Sequence, residues 1–117
     1  MKKQRSHSIE KEITKVVGQV FFEGVKNDKI TGLVSVVKTI LSRDKKYADV
    51  FLSVLPYNNQ DINTEKLQEG FDEIRGFVRR KIASEMKLRY TPEIRLKLDD
   101  SIEYGVKISK ILNELKE

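Results

Sequence analysis

The sequence predicts a single domain of the α+β class, ordered as helix, strand, strand, bent pair of helices, strand and helix. A chain of 117 residues with 38% hydrophobic residues has the length and composition of one domain with its own core. Apolar residues recur at helical spacing in some segments and alternate with polar residues in others. Because these segments follow one another with short polar connections, we expect one domain spanning 1–117, with a single three-stranded sheet and helices packed on it.

The N-terminal region predicts a basic arm followed by a helix. Residues 1–7 include Lys3 and Arg5 and precede the first apolar position, so they are expected to be a mobile arm. From residue 8 to residue 23 the apolar positions recur at helical spacing, and Gly24 follows as a helix stop. The apolar positions of this helix are Ile9, Ile13, Val16, Val17, Val20 and Phe21.

Residues 33–55 predict an antiparallel hairpin. The first strand is rich in β-branched residues but alternates imperfectly, which leaves room for a β-bulge. Residues 42–46 are a polar connection, and the second strand alternates cleanly, with Ala48, Val50, Leu52 and Val54 expected to face the helices. Phe51 falls on the opposite face. There it is either covered by another element, the more common outcome, or open to stack on a nucleic-acid base.

Residues 64–88 predict a kinked pair of helices and carry an uneven distribution of charge. An apolar stripe continues through the segment, but Gly76 interrupts it, and a glycine inside a helix costs about 0.5 to 1 kcal/mol relative to alanine. A bend between two helices is therefore expected at Gly76. Four acids against one lysine give residues 64–73 a net charge of −3, whereas six bases against one acid give residues 74–89 a net charge of +5.

The C-terminal part predicts a third strand and a closing helix. Residues 93–99 alternate strictly, with apolar side chains at positions 94, 96 and 98. Asp100 and Glu103 have the spacing of a capping box for a helix over residues 101–115.

The localised positive charge indicates a polyanionic partner. The chain carries a net charge of +5, with an isoelectric point near 9.4, and the excess is concentrated in the second half of the central segment. The alternative is an ordinary solvated helix, since acids early and bases late also suit the helix macrodipole. The dipole acts only within a terminal turn, however, and the basic run continues past the helix, which favours a binding surface.

Catalysis is the weaker class of function. The chain has no cysteine and one histidine, and it lacks a phosphate-binding GxxxxGK[ST] loop, a GxSxG elbow and a GxGxxG motif. Asp99, Asp100 and Glu103 could hold Mg²⁺ in a metal-dependent hydrolase, but helix capping already explains two of them. We expect no cofactor, no metal, no small-molecule substrate and no membrane segment, and the absence of cysteine fits a reducing, cytoplasmic setting.

Four segments in register resemble a known family. They are SRDKKYADVFLSVL at 42–55, GFVR at 76–79, LRYTPEI at 88–94 and DDSIEYG at 99–105. In this order and spacing they resemble bacterial ribosome-binding factor A, over roughly residues 9–112. In the family an Ala-x-Gly kink joins the two central helices, so the resemblance implies an interhelical kink at Ile74, Arg75 and Gly76, where isoleucine replaces the alanine. The family's usual Asp-Pro-Arg corresponds to residues 27–29, where the proline is absent.

The resemblance implies a KH-like domain of type II topology and a non-catalytic function. It implies an RNA-binding assembly factor that associates with the free small (30S) ribosomal subunit, supports late maturation and processing of 16S rRNA, and matters in the cold. We expect a monomer. The alternative is a general KH-type module for single-stranded RNA without ribosomal duty, although the missing GxxG loop of such modules speaks against it.

Together, the basic helix and the resemblance indicate candidate RNA-binding residues in three places. Arg79 is the strongest candidate, because the family motif has an arginine at this position. The full set is Arg75, Arg79, Arg80, Lys87 and Arg89 on and after the basic helix, Arg43, Lys45 and Lys46 at the hairpin tip, and Lys3 and Arg5 in the arm.

Overall fold

The computed structural model describes residues 2–57 and 63–99, with side chains from residue 6 onward. The described elements are α1 (Lys2–Glu23), β1 (Leu33–Leu41), β2 (Tyr47–Leu55), α2 (Thr64–Glu85) and β3 (Glu93–Leu98). The predicted α+β class is confirmed. The predicted helix over 101–115 lies outside the described residues. Neither α1 nor α2 is long and apolar enough to cross a membrane.

The three strands form one mixed sheet in the order β1, β2, β3. β2 pairs antiparallel with β1 and parallel with β3, so α2 is the crossover that connects the two parallel strands. α1 contacts β1, α2 contacts β3, and the two helices contact each other. The core lies between the helices and the sheet, and its largest fully buried side chains are Phe71, Ile13, Leu52, Leu67, Ile82, Ile94 and Leu96.

β1 contains the bulge that its imperfect alternation allowed. The pairing with β2 shifts between Val36 and Lys38. Before the bulge Val36 is half-buried, and after it Thr39 and Leu41 are buried while Lys38 is exposed. The extra residue therefore changes which positions face the core. Thr39, the inward polar residue, forms a 2.8 Å hydrogen bond with the hydroxyl of Thr14 on α1.

α1 begins at Lys2, so the prediction of a mobile arm over residues 1–7 is wrong for 2–7, and the helix does not begin at residue 8. The apolar stripe, which starts at Ile9, marks where the helix begins to pack on the core and not where the helix itself begins. Residues 2–7 contain neither glycine nor proline, so nothing in them stops the helix from continuing beyond its packed part. Lys3 and Arg5 thus belong to the first turns of α1.

α2 is one helix, so the prediction of a kinked pair over residues 64–88 is wrong in dividing it at Gly76 and in extending it past Glu85. Ile74 and Val78 are buried on either side of the glycine, as are Leu67, Phe71 and Ile82 further along the stripe. This continuous packing outweighs the small cost of one helical glycine. The helix begins after Asn63, whose side chain accepts a hydrogen bond from the backbone N–H of Lys66.

A side chain of α2 occupies the outer edge of β3, which ends at Leu98 rather than at residue 99. Gln68 donates to the carbonyl of Leu96 at 2.7 Å and accepts from the backbone N–H of Leu98 at 3.2 Å. Asp99 instead donates its backbone N–H to Leu52 on β2, so Leu96 and Leu98 direct their backbone groups away from the sheet. Gln68 thus satisfies the two groups that a neighbouring strand would otherwise pair with.

Candidate nucleic-acid interface

The hairpin turn between β1 and β2 is held by its own side chains. Ser42 donates from its hydroxyl to Asp44 at 2.7 Å, and Asp44 also accepts from the backbone N–H of Lys46 at 3.0 Å. These hydrogen bonds, the one from Ser42 first, lower the pKa of the Asp44 carboxyl. Lys45 has a φ of 62°, in the left-handed region that costs a lysine about 1 to 2 kcal/mol. The backbone that carries Lys45 and Lys46 is therefore held in a defined turn, and both side chains are exposed.

The extended segment between α2 and β3 is fastened by Arg79. Its guanidinium donates to the carbonyl of Thr91 at 3.1 Å and to that of Pro92 at 3.3 Å, and it lies 3.7 Å from the carboxylate of Glu93. Glu93 in turn donates its backbone N–H to the carbonyl of Lys46 at 2.8 Å. Arg79 thus joins α2 to the start of β3, and β3 joins the hairpin turn.

A groove of about 840 Å³ opens where the hairpin turn, the segment before β3 and α1 meet. Among the residues whose side chains are described, four of the predicted cations line it, Lys45, Lys46, Arg79 and Arg89, against two acids, Asp44 and Glu93. Its remaining lining is Ile9, Leu41, Tyr47, Leu88, Tyr90, Thr91 and Pro92. The groove therefore combines an excess of positive charge with apolar and aromatic surface, a combination that suits unpaired nucleotides.

Arg75, Arg80 and Lys87 do not line this groove. Arg75 lines a second, smaller depression of about 260 Å³ beside Gly76, and Arg79 lies between the two sites. Arg80 is exposed, and its guanidinium lies near Gly76, 3.7 Å from where a β-carbon would be. Lys87 is also exposed and lines neither site.

Of the remaining three predicted cations, the structure describes the side chain of Arg43. Arg43 is exposed in the hairpin turn but lines neither the groove nor the smaller depression. The structure describes the backbone of Lys3 and Arg5 in α1.

Two aromatic residues of the groove were absent from the predicted set. Tyr90 is 77% exposed, with the guanidinium of Arg89 5.7 Å from its ring centre, and Tyr47 is 43% exposed. The alternation of β2 gave a signal for Tyr47, since it falls on the same strand face as Phe51. No periodic pattern marks Tyr90, which lies between α2 and β3.

The first half of α2 carries charge of the opposite sign and uses it locally. Lys29, in the loop after α1, lies 2.6 Å from a carboxylate oxygen of Glu73 and 3.5 Å from one of Glu69. The hydrogen bond to Glu73 is the main cause that raises the pKa of Lys29, against a smaller effect of desolvation. The acidic part of the helix is thus directed at the protein's own loop, away from the groove.

The acidic cluster proposed for Mg²⁺ falls mostly outside the described residues. Asp100 and Glu103 are not among them, and Asp99 is half-buried next to the end of β3. Within residues 2–57 and 63–99, no group of three or more His, Cys, Asp or Glu side chains is arranged to hold a metal ion.

Comparisons with known proteins agree with the resemblance seen in the sequence. The family model described as Ribosome-binding factor A matches residues 5–112. The chain is 49% identical to Ribosome-binding factor A of Fusobacterium nucleatum over 99% of both chains. It is 38% identical to that of Clostridium novyi, over 100% of this chain and 94% of the relative.

A solved structure supports the fold. The crystal structure of ribosome-binding factor A from Thermus thermophilus superposes with a TM-score of 0.66, over 80% of this chain and 93% of that chain, at 12% identity. Since the family model spans most of the sequence and the relatives align along nearly all of it, the chain belongs to the ribosome-binding factor A family.

Proposed function

We propose that this chain is a non-catalytic assembly factor that binds the free small (30S) ribosomal subunit through 16S rRNA and supports late steps of its maturation. Its family membership supports a ribosomal partner. The sequence offers none of the common nucleophile, phosphate-loop or dinucleotide motifs, which supports a role in binding. The factor acts as a monomer in the cytoplasm and is most needed in the cold.

The observation that carries the RNA-binding part of the proposal is the composition of the groove. Lys45, Lys46 and Arg89 place three cations around one opening, where they can contact neighbouring phosphates. Tyr90 offers an exposed ring on which an unpaired base can stack. Arg79 contributes mainly by fixing the segment that carries Tyr90, because its Nε and Nη2 already donate to backbone carbonyls and its Nη1 lies 3.7 Å from the carboxylate of Glu93.

Cosedimentation with free 30S subunits and with intact ribosomes, over a salt series, tests this proposal. Each duplex phosphate contact contributes a slope of about −0.9 to the plot of log affinity against log salt, and each single-stranded contact about −0.7. We expect preferential binding to free subunits and a steep negative slope. An affinity that does not change with salt concentration, or equal affinity for free subunits and intact ribosomes, would contradict the proposal.

A charge-matched pair of variants locates the site. The triple variant Lys45→Gln, Lys46→Gln, Arg89→Gln removes three groove cations and should make the salt slope shallower by about 2 to 3. The control variant Lys11→Gln, Lys15→Gln, Lys66→Gln removes three exposed lysines that do not line the groove. If both variants lose the same affinity, net charge rather than the groove determines binding.

The same assay separates the alternative function, a general module for single-stranded RNA. Such a module would bind short unstructured oligonucleotides as tightly as it binds subunits. We therefore expect an excess of unstructured oligonucleotide to compete poorly with 30S subunits. Effective competition at equal nucleotide concentration would favour the general module.

A further inference from the structure

The face of the sheet opposite the helices carries a row of alternating cations and aromatic rings. Phe51 on the central strand pairs in register with Lys38 on β1 and with Lys97 on β3. The ammonium of Lys38 lies 5.1 Å from the centre of the Phe51 ring, and that of Lys97 lies 6.0 Å from it. One aromatic ring is therefore flanked by a positive charge on each side.

A second aromatic residue lies on the same strand and the same face. The guanidinium of Arg95 lies 4.7 Å from the centre of the Tyr47 ring. Asp49, between Tyr47 and Phe51 on β2, binds the guanidinium of Arg95 and lies 3.4 Å from the ammonium of Lys97. This carboxylate holds the two β3 cations in place and leaves the face with more positive than negative charge.

Within residues 2–57 and 63–99, no element covers this face. Both described helices pack on the other side, where Ala48, Val50 and Leu52 are buried. Tyr47 remains 43% exposed, and Ile40, beside Asp49 on β1, is 47% exposed. Lys38 and Arg95 are exposed and Phe51 and Lys97 are half-buried. The arrangement is separate from the groove described above except at Tyr47.

We propose that the open sheet face is a second RNA-binding surface that takes unpaired nucleotides, with a base stacked on Phe51 and the flanking phosphates bound by Lys38 and Lys97. Aromatic side chains on a sheet face provide such stacking surfaces, because every base has a π-face. The lysines that now lie near the ring are long enough to move to phosphates on either side of the base. The inference rests on the proposed RNA partner and adds a second contact to it.

Charge favours a nucleotide over a protein helix as the occupant. A helix packed on this face would remove Lys38, Arg95 and Lys97 from water. The lost hydration of these charges is unfavourable unless acidic side chains of the helix pair with them. A single-stranded backbone supplies negative charge at every residue and leaves the ammonium groups partly in water. The sheet face is therefore complementary to a polyanion that also presents flat aromatic rings, such as single-stranded RNA.

Binding of a labelled ten-nucleotide oligouridine to the full chain, followed by fluorescence anisotropy, tests the inference. Phe51→Leu keeps an apolar side chain but removes the ring, and we expect it to weaken binding about 10-fold, in line with the loss of one base stack. Phe51→Tyr retains a ring and should bind like the original protein. Phe22→Leu is the matched control, because Phe22 is 86% exposed on α1, away from this face.

Ultraviolet crosslinking of the same oligonucleotide gives an independent readout. We expect the crosslinked peptide to contain Phe51, and the double variant Lys38→Gln, Lys97→Gln to reduce its yield. Unchanged affinity in Phe51→Leu, or crosslinks confined to the groove, would overturn the inference. Either result is also what coverage of the face by residues 100–117 would produce. If the original protein binds 30S subunits but these tests fail, only the second RNA-binding surface is refuted. If the original protein does not bind 30S subunits at all, the proposed function itself is refuted.

Discussion

The two halves of α2 share one apolar stripe but differ in what their outer surfaces do. In residues 64–73 the surface is acidic and contacts the loop after α1, through Lys29 and through a backbone approach at Gly70. In residues 74–85 the surface is basic and contacts the segment before β3 through Arg79. The stripe determines that the segment is a helix, whereas the outer surfaces determine which neighbouring segment each half holds in place.

The two glycines of α2 also differ, in how closely neighbouring residues pack against them. A β-carbon at Gly70 would lie 2.7 Å from Cγ1 of Ile30 and 3.1 Å from Cβ of Lys29, so the close contact requires glycine. Among the described residues, a β-carbon at Gly76 would have one atom within 4 Å, a guanidinium nitrogen of Arg80 at 3.7 Å. Gly70 is needed for packing, but packing among the described residues gives no reason for Gly76. The following experiments test this contrast, in order of decreasing effect.

Gly70→Ala should destabilise the fold by about 1 to 3 kcal/mol, because the methyl group forces Ile30 and the loop backbone away from α2. Urea unfolding followed by circular dichroism measures the change as a lower midpoint. An unchanged midpoint would show that the loop after α1 yields without cost, and the contrast between the two glycines would disappear.

Arg79→Met should destabilise by about 1 kcal/mol, because the hydrogen bonds to the carbonyls of Thr91 and Pro92 are lost while the alkyl chain is largely retained. Hydrogen exchange should become faster at the amide of Glu93, which binds the hairpin turn. Arg80→Met is the control, since Arg80 is exposed and its change should stay within about 0.5 kcal/mol. Equal effects in the two variants would contradict the role given to Arg79.

Gly76→Ala should stabilise the fold by about 0.5 to 1 kcal/mol, because alanine is the better helix former and the site has room for its methyl group. Thermal unfolding measures the change as a higher midpoint. Loss of stability would show that the backbone at this position needs a conformation or a contact that alanine does not allow. Weaker 30S binding with higher stability would assign Gly76 to the RNA-binding surface.

Lys29→Met should have the smallest effect, because the ion pairs with Glu69 and Glu73 are exposed and screened by salt. The raised pKa of Lys29 gives the pH dependence its sign. The stabilising charge is fully present below the unfolded value of 10.5 and is lost as the pH rises through the higher folded value. The difference in stability between variant and original protein should therefore narrow above pH 10.5 and in 1 M salt. A difference that persists under both conditions would indicate that the alkyl chain matters more than the charge.

The sequence predicted the elements whose patterns are local. The alternation of β2 and the stripe of α2 are visible within one segment, and the inward positions Val50 and Phe71 followed from them. The sequence did not predict that α2 continues through Gly76 or that α1 begins at Lys2. Tertiary packing overrides the low propensity of one glycine, and an apolar pattern marks only the packed part of a helix. The parallel pairing of β3 with β2 is a contact between distant segments that no local pattern encodes.

The candidate site shows the same limit. Composition and spacing identified Lys45, Lys46, Arg79 and Arg89 as cations at exposed positions, and the structure brings these four to one groove. They could not show that Arg79 donates to backbone carbonyls twelve and thirteen residues away, since that depends on where the segment before β3 lies. Charge alone does not distinguish an arginine that fastens the fold from one that is available to a ligand.

The amide of Gln68 has a consequence for how this sheet can meet other molecules. By binding Leu96 and Leu98 it makes the two hydrogen bonds that an added parallel strand would make there. A peptide or a second copy of the chain that extended the sheet beyond β3 would first have to displace this side chain. Gln68 thus blocks the addition of a strand at this part of the β3 edge.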